Sequence, residues 1–216
     1  MKFCVVRFEA EKSFDPRSAE KLKKYFEEKF KGEEIFEHSE KNEKGDYRYP
    51  EIQYFVDRGQ LCVLGASASI DILKDKMRGL NEIVIGDEVI SDFNLMIEEF
   101  EEEFKVLSSF KVYKFETPWL PMTKEEYEEY KKGEIQLNKY LEDDINSNFK
   151  DLGIWVEDPV KVLGDFSSKT LYIKDIERVG FYGEFACNVT IPKYMGFGNS
   201  RLIGYGRVHQ FYSKHD

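Results

Sequence analysis

Histidine and cysteine are scarce here, with three of each in 216 residues, and each scarcity removes a class of chemistry. Cys4, Cys62 and Cys187 lie far apart in apolar, strand-like runs. No Cys-x-x-Cys pair exists, so neither a zinc ribbon nor a dithiol redox centre is encoded. Buried thiols in a reducing cytoplasm are the expectation. No stretch approaches the ~18 apolar residues of a membrane span. Met1 to Val6 leads straight into a strand without a signal-peptide pattern, so no membrane partner is expected. His-x-x-x-His and His-Glu-x-x-His helices are missing, and the carboxylates sit in mixed charge runs, so neither a metal nor a cofactor is expected. A Gly-x-Ser-x-Gly elbow, which would mark a serine hydrolase, is also absent.

Charge is abundant instead. Lysine and arginine number 32 against 42 aspartates and glutamates, a net charge of −10. The excess is uneven: from Asp158 onward there are 8 basic against 6 acidic residues, leaving 24 against 36 before it. An acidic body suppresses indiscriminate phosphate binding, while a local basic groove can still hold one nucleic acid. Aromatic residues make up 15% of the chain, enough to fill two cores of ordinary domain size.

Hydrophobic spacing divides the chain. Phe3 to Phe8 reads as a buried strand. Asp15-Pro16 then caps a helix, Pro16 to Lys31, with Ala19, Leu22, Phe26 and Phe30 on one face and Gly32 as its stop. Ile52 to Val56 and Leu61 to Leu64 flank the hairpin signal Asp57-Arg58-Gly59. Ser67 is placed to cap a second helix that carries Ile70, Leu73 and Met77. Ile83 to Ile85 and Val89-Ile90 read as strand, tight turn, strand. The order is β-α-β-β-α-β, a ferredoxin-like plan. The acidic run Ile97 to Phe104 reads as a solvated amphipathic segment near the domain boundary.

A second unit then begins with strand-like Phe110 to Phe115. Thr123 with Glu126 forms a capping box, and Leu137, Leu141, Ile145 and Phe149 mark a longer helix. Strands follow at Val160 to Leu163, Leu171 to Ile176, Glu184 to Ile191 and Gly206 to Tyr212. The expected fold class is α+β: two tandem ferredoxin-like (βαββαβ, RRM-like) domains over 1–105 and 106–216.

Few residues qualify for chemistry. His215 is next to the last residue, and His209 falls in the last strand, where packing or surface exposure is its ordinary role. His38 lies outside any apolar pattern, in the polar loop Glu37-His38-Ser39-Glu40. A lone loop histidine is ordinarily a solvated side chain, and an acid–base group is the alternative reading. The stretch from Lys193 to Arg207 is the most unusual. It lacks Gly-Lys-Ser/Thr, and Arg201 stands where a dinucleotide fingerprint needs its third glycine, so neither nucleotide motif applies. Gly196, Gly198, Gly204 and Gly206 permit close backbone approach to phosphate. Lys193, Arg201 and Arg207 add positive charge, and Tyr194, Phe197 and Tyr205 offer stacking surfaces for single-stranded RNA. A tight glycine turn over core aromatics accounts for the same residues.

Two blocks carry a resemblance. Gly180-Phe181-Tyr182-Gly183-Glu184-Phe185 through Ile191-Pro192, Tyr194 and Gly204-Tyr205-Gly206 resembles the C-terminal signature of CRISPR-associated endoribonucleases of the RAMP superfamily. Tyr47-Arg48-Tyr49-Pro50-Glu51-Ile52-Gln53-Tyr54 is similar to a Tyr-Pro-x-Ile-Gln-Tyr block of one subfamily. The resemblance implies tandem ferredoxin-like domains and a metal-independent cut in precursor CRISPR RNA. The ribose 2′-hydroxyl attacks the adjacent phosphate, leaving 2′,3′-cyclic phosphate and 5′-hydroxyl ends. It also implies a His-x-His element whose second position is His38 and whose first is Phe36 here. Tyr47 matches a tyrosine of the family's site, and Lys29 or Lys31 supplies the expected lysine. CRISPR repeat RNA is the implied partner, with other CRISPR effector subunits and a second copy of the chain as further candidates. A noncatalytic repeat-binding subunit and a ferredoxin-like small-molecule regulatory module are the competing readings.

Overall fold

A computed structural model describes residues 1–37, 49–173 and 176–211. Two compact units emerge: Met1–Glu102 with Leu202–Gly204, and Glu103–Arg201 with Tyr205–Asp216.

In the first unit, Lys2–Glu9 (β1) is apolar on both sides, and Phe3, Cys4, Val5, Val6 and Phe8 are all buried. Ser18–Lys29 (α1) starts slightly later than its periodicity suggests. Asp15 does not cap it: the N-cap residue is Arg17, without a side-chain cap, and the Asp15 carboxylate accepts the Arg17 N–H at 2.7 Å just ahead of the helix. Ile52–Asp57 (β2) and Gln60–Ala66 (β3) form the expected hairpin. Arg58 and Gly59 both take positive φ, the geometry that matches strand twist. Ser69–Arg78 (α2) lays Ile70, Leu73 and Met77 on the sheet. Burial of each such side chain stabilises by about 1.5–3 kcal/mol.

Two further expectations for this unit fail. Ser67 does not cap α2: it adopts φ 53°, and Ser69 Oγ accepts from the Ala66 N–H at 3.0 Å instead. Ile83–Ile85 (β4) and Glu88–Ile90 (β5) make a separate two-stranded ribbon. The unit's fourth strand is Asn94–Glu101 (β6), which holds much of the acidic run and pairs with β1 along its length. Its glutamates obscure a period of two. Leu95 and Ile97 pack on the core, Phe100 stacks on Phe3 at 5.4 Å on the other face, and Glu99 meets Lys74 of α2. The strand lies at the sheet's edge, where exposed charge discourages edge-to-edge pairing.

The second unit repeats the plan. Val106–Phe115 (β7), Val162–Ile173 (β8), Ile176–Val189 (β9) and Val208–Phe211 (β10) form a sheet in the order β10-β7-β9-β8. The first unit's order is β2-β3-β1-β6, so in both sheets the first strand lies between the third and the fourth. This is the ferredoxin-like order, and the α+β expectation holds. Val162-Leu163 and Leu171 to Ile173, predicted in separate segments at 160–163 and 171–176, lie in one long strand, β8, paired with β9 in unbroken register from Val162↔Cys187 to Ile173↔Ile176. Lys124–Lys131 (α3), with its capping box intact, and Leu137–Asp151 (α4) connect β7 to β8. The helix expected between the third and fourth strands is replaced by the glycine-rich stretch and one 3₁₀ turn, Arg201–Ile203. The three cysteines are free and buried. No helix among the described residues is long and apolar enough to cross a membrane.

Candidate functional site

In the first unit, the end of α1 holds the expected lysines on the surface. Lys29 and Lys31 are exposed, and Lys29 Nζ stands 5.5 Å from the Tyr25 ring. Gly32 turns the chain, and N–H groups of Glu33 and Phe36 donate to the Phe30 and Glu33 carbonyls at 3.0 Å. Phe36 is thereby turned inward, 2% exposed, with its ring 4.7 Å from Phe30 and 6.0 Å from Phe26. A position resembling the first histidine of a His-x-His element is, in this chain, a core position. His38 and Tyr47 lie outside the described residues. On β2, Tyr54 is buried over the same aromatic cluster, and burial and the Glu27 charge push its hydroxyl far above the ordinary tyrosine range. It is therefore a neutral phenol at any physiological pH.

In the second unit the glycine-rich stretch is knitted into the interior. The N–H groups of Phe197, Asn199 and Gly206 donate to the carbonyls of Gly206, Leu120 and Pro118 at 3.1, 2.8 and 2.8 Å. The Gly198 N–H donates to Asp144 Oδ2 at 2.6 Å. Gly206 has φ 66°, and a Cβ there would collide with the Phe197 carbonyl, so the crossing requires glycine. Gly196 pairs with Arg207 across a short antiparallel bridge, and its carbonyl accepts from Asn148 at 3.4 Å. Gly204 is part of the first unit, where a Cβ would stand 2.9 Å from the Cβ of Phe55.

The charged residues of this stretch part company. Lys193 is exposed, its ammonium 5.3 Å from the Tyr194 ring. Arg201 and Arg207, expected to present charge to RNA, have interior side chains facing carboxylates. Arg201 Nη1 is 3.5 Å from Asp144 Oδ1 and also donates to Asn148. Asp144 Oδ2 further accepts the Trp119 indole N–H at 3.2 Å. Burial raises the Asp144 carboxyl above the usual carboxylate range, and Arg201, Trp119 and the Gly198 amide oppose that rise. Arg207 Nη2 lies 3.1 Å from Glu116 Oε2. A buried arginine whose partner is in place cannot be surrendered to a ligand without leaving a carboxylate unpaired inside.

Asp144, Asn148 and Glu116 were not foreseen. A trace was present: Asp144 and Asn148 are four apart on α4, beside Leu141, Ile145 and Phe149, so two polar side chains share the helix's buried side.

Comparison with known proteins decides the family. The Cas6b N-terminal domain matches residues 1–103 and the Cas6b C-terminal domain matches residues 105–211. The chain belongs to the Cas6b family. A crystal structure of Cas6b is similar over 98% of this chain and all of its own, at 26% identity and a TM-score of 0.86. A second, described as the CRISPR RNA processing endoribonuclease Cas6b, has the same coverage at 25% identity and a TM-score of 0.72. An uncharacterized protein of Methanocaldococcus jannaschii, MJ0978, is 36% identical over 114 residues, spanning half of this chain and 77% of that protein. The N-terminal match ends, and the C-terminal match begins, close to the junction between the two units.

Proposed function

We propose that this Cas6b-family chain is an endoribonuclease that cuts precursor CRISPR RNA within its repeats. The observation that carries the reading is the match of both Cas6b domains in order along the chain, joined by full-length likeness to a CRISPR RNA processing endoribonuclease. The proposed reaction needs no metal. His38 takes the 2′-hydroxyl proton or protonates the departing 5′-oxygen, as an imidazole is able to do near neutrality. Lys29 or Lys31, exposed at the end of α1, offsets charge on the phosphorane oxygens, and Tyr47 donates a hydrogen bond. The nucleophile belongs to the substrate, so the products are a 2′,3′-cyclic phosphate and a 5′-hydroxyl.

RNA binding is assigned to the glycine-rich stretch from Lys193 to Arg207. Lys193 supplies surface charge there. Gly196, Gly198, Gly204 and Gly206 allow its tight path, and Arg201 and Arg207 fix its shape from within.

The core position of Phe36 favours one alternative, a subunit that binds repeat RNA without cutting it, because only one histidine of the element is left. Incubation with the host's repeat RNA in EDTA separates the two. Cleavage with cyclic-phosphate ends is expected, and His38→Ala should slow it by about 10²–10⁴-fold while RNA binding persists. Metal-dependent cleavage leaving 3′-hydroxyl ends would contradict the proposed chemistry, and binding without cleavage would establish the alternative.

A further inference from the structure

The second unit's sheet ends in β10 on one side and β8 on the other. An edge strand offers unpaired N–H and C=O groups to any other strand unless something covers them. The first part of the β8 edge is covered. The Val162 N–H donates to Glu142 Oε1 at 3.1 Å and the Gly164 N–H to Asn138 Oδ1 at 3.0 Å, both side chains of α4. In an antiparallel pair a residue's N–H and C=O leave on the same side of the strand, and the side alternates along the chain. Val162 and Gly164 therefore set the parity. With the register unbroken as far as Ile173, the backbone groups of Phe166, Ser168, Thr170 and Tyr172 also face away from β9. Among the described residues these backbone groups have no hydrogen-bond partner. Ser168 meets α3 through its hydroxyl, 3.3 Å from that of Tyr127, and its backbone stays open.

This open stretch is well suited to pairing. From Phe166 to Ile173 it holds no proline, glycine or carboxylate, and Thr170, Tyr172 and Ile173 favour the extended state. Tyr172 is 70% exposed. Two cations stand on the face opposite to Phe166: Lys169 within the open edge, and Arg178 across from Leu171. Both are exposed, and neither has a carboxylate partner among the described residues. Glu177 lies across from Tyr172, on the other face.

These features select among occupants. A second copy offering the same edge would gather like charges, and lysine on an edge guards against such self-pairing. A phosphate backbone would meet the cations and leave the row of N–H and C=O groups unmatched. An extended polypeptide with a carboxylate opposite Lys169 satisfies both the row and the charge. We propose that the β8 edge from Phe166 to Ile173 docks an extended, acidic segment of a partner protein, which joins the four-stranded sheet as a further strand. Its apolar residues lie beside Thr170 and Tyr172, and its acidic ones alternate with them on the Lys169 side. The inference does not depend on the RNA-processing reading and concerns a surface which that reading leaves unused.

The probe is a capped, fluorescein-labelled peptide of about ten residues alternating valine with glutamate, titrated with the full chain by anisotropy. It should bind, and should slow amide exchange at Phe166, Ser168, Thr170 and Tyr172. The same peptide with lysine for glutamate should bind about 5-fold more weakly, and a version N-methylated at alternate residues should not bind. Thr170→Pro removes an outward N–H and leaves the ladder to β9 intact, so it should abolish binding in a folded chain. Lys169→Glu should reverse the preference between the acidic and basic peptides, and keeps the test decisive if Thr170→Pro does not fold. No binding by any peptide overturns the proposal, as does equal binding of the acidic and basic ones or binding that survives in folded Thr170→Pro. Self-association in sedimentation that Thr170→Pro abolishes would give the edge to a second copy and overturn it. A loss of repeat-RNA affinity in Lys169→Glu would give the ribbon to RNA, with the same result.

Discussion

The connection between the third and fourth strands is built in two opposite ways in the two units. In the first it is α2 and the β4–β5 ribbon, held to the sheet by Ile70, Leu73 and Met77. In the second it is an irregular stretch, held by Asp144, Asn148 and Arg201 and by backbone hydrogen bonds. The sheets themselves follow one order. The scaffold therefore tolerates either solution, and the difference lies in sensitivity. An apolar helix face fails gradually as methylenes are removed, whereas a buried ionic cluster fails when one member is lost.

That contrast can be broken first at its polar side. Asp144→Ala leaves the Arg201 guanidinium buried without its carboxylate and should cost about 3–5 kcal/mol in chemical denaturation. Replacing Asp144 and Arg201 together by Leu and Met should recover part of that loss, the Gly198 and Trp119 N–H groups still lacking their acceptor. A double variant no more stable than Asp144→Ala would show that the cluster is not held by this pair. On the apolar side, Leu73→Ala removes a fully buried side chain and should cost about 2–4 kcal/mol. Conservative Leu73→Met should cost less than about 1.5 kcal/mol. The smallest effect is expected at α3, which belongs to neither connection. Thr123→Ala removes a capping box and should cost about 1 kcal/mol.

The same cap has a pH signature. Hydrogen bonds from the Thr123 backbone and the Tyr140 hydroxyl hold the Glu126 carboxyl below its ordinary value of 4.5. A depressed folded-state value favours the ionised group in the folded protein. Its contribution is therefore present above about pH 4.5 and fades as pH falls below it. Glu126→Gln should flatten the acid side of the stability profile measured by thermal unfolding.

The sequence made the first unit's core legible because its apolar residues recur at helix and strand periods, from β1 through α2. β6 escaped because an edge strand needs only one apolar face, and the glutamates that follow at positions 98, 99 and 101 masked the alternation begun by Leu95 and Ile97. The family resemblance was readable from the blocks around Tyr49 and Gly183, since short motifs survive where overall similarity is modest. The roles of Arg201 and Arg207 were not. A buried arginine and a solvated one are spelled alike, and the carboxylates that hold these two, Asp144 and Glu116, are distant in sequence. Phe36 shows the converse case. It reads as the loss of a catalytic partner, and its packing against Phe26 and Phe30 gives it a structural role in the same place.

Leu202 joins the hydrophobic cluster made otherwise by residues 4–90, and Leu202–Gly204 belongs with the first unit although its neighbours on either side belong with the second. During synthesis, the opening half of the polypeptide thus waits for a leucine made roughly a hundred residues after its own last strand. Severing the chain after position 105 would separate that half from a piece of its own interior.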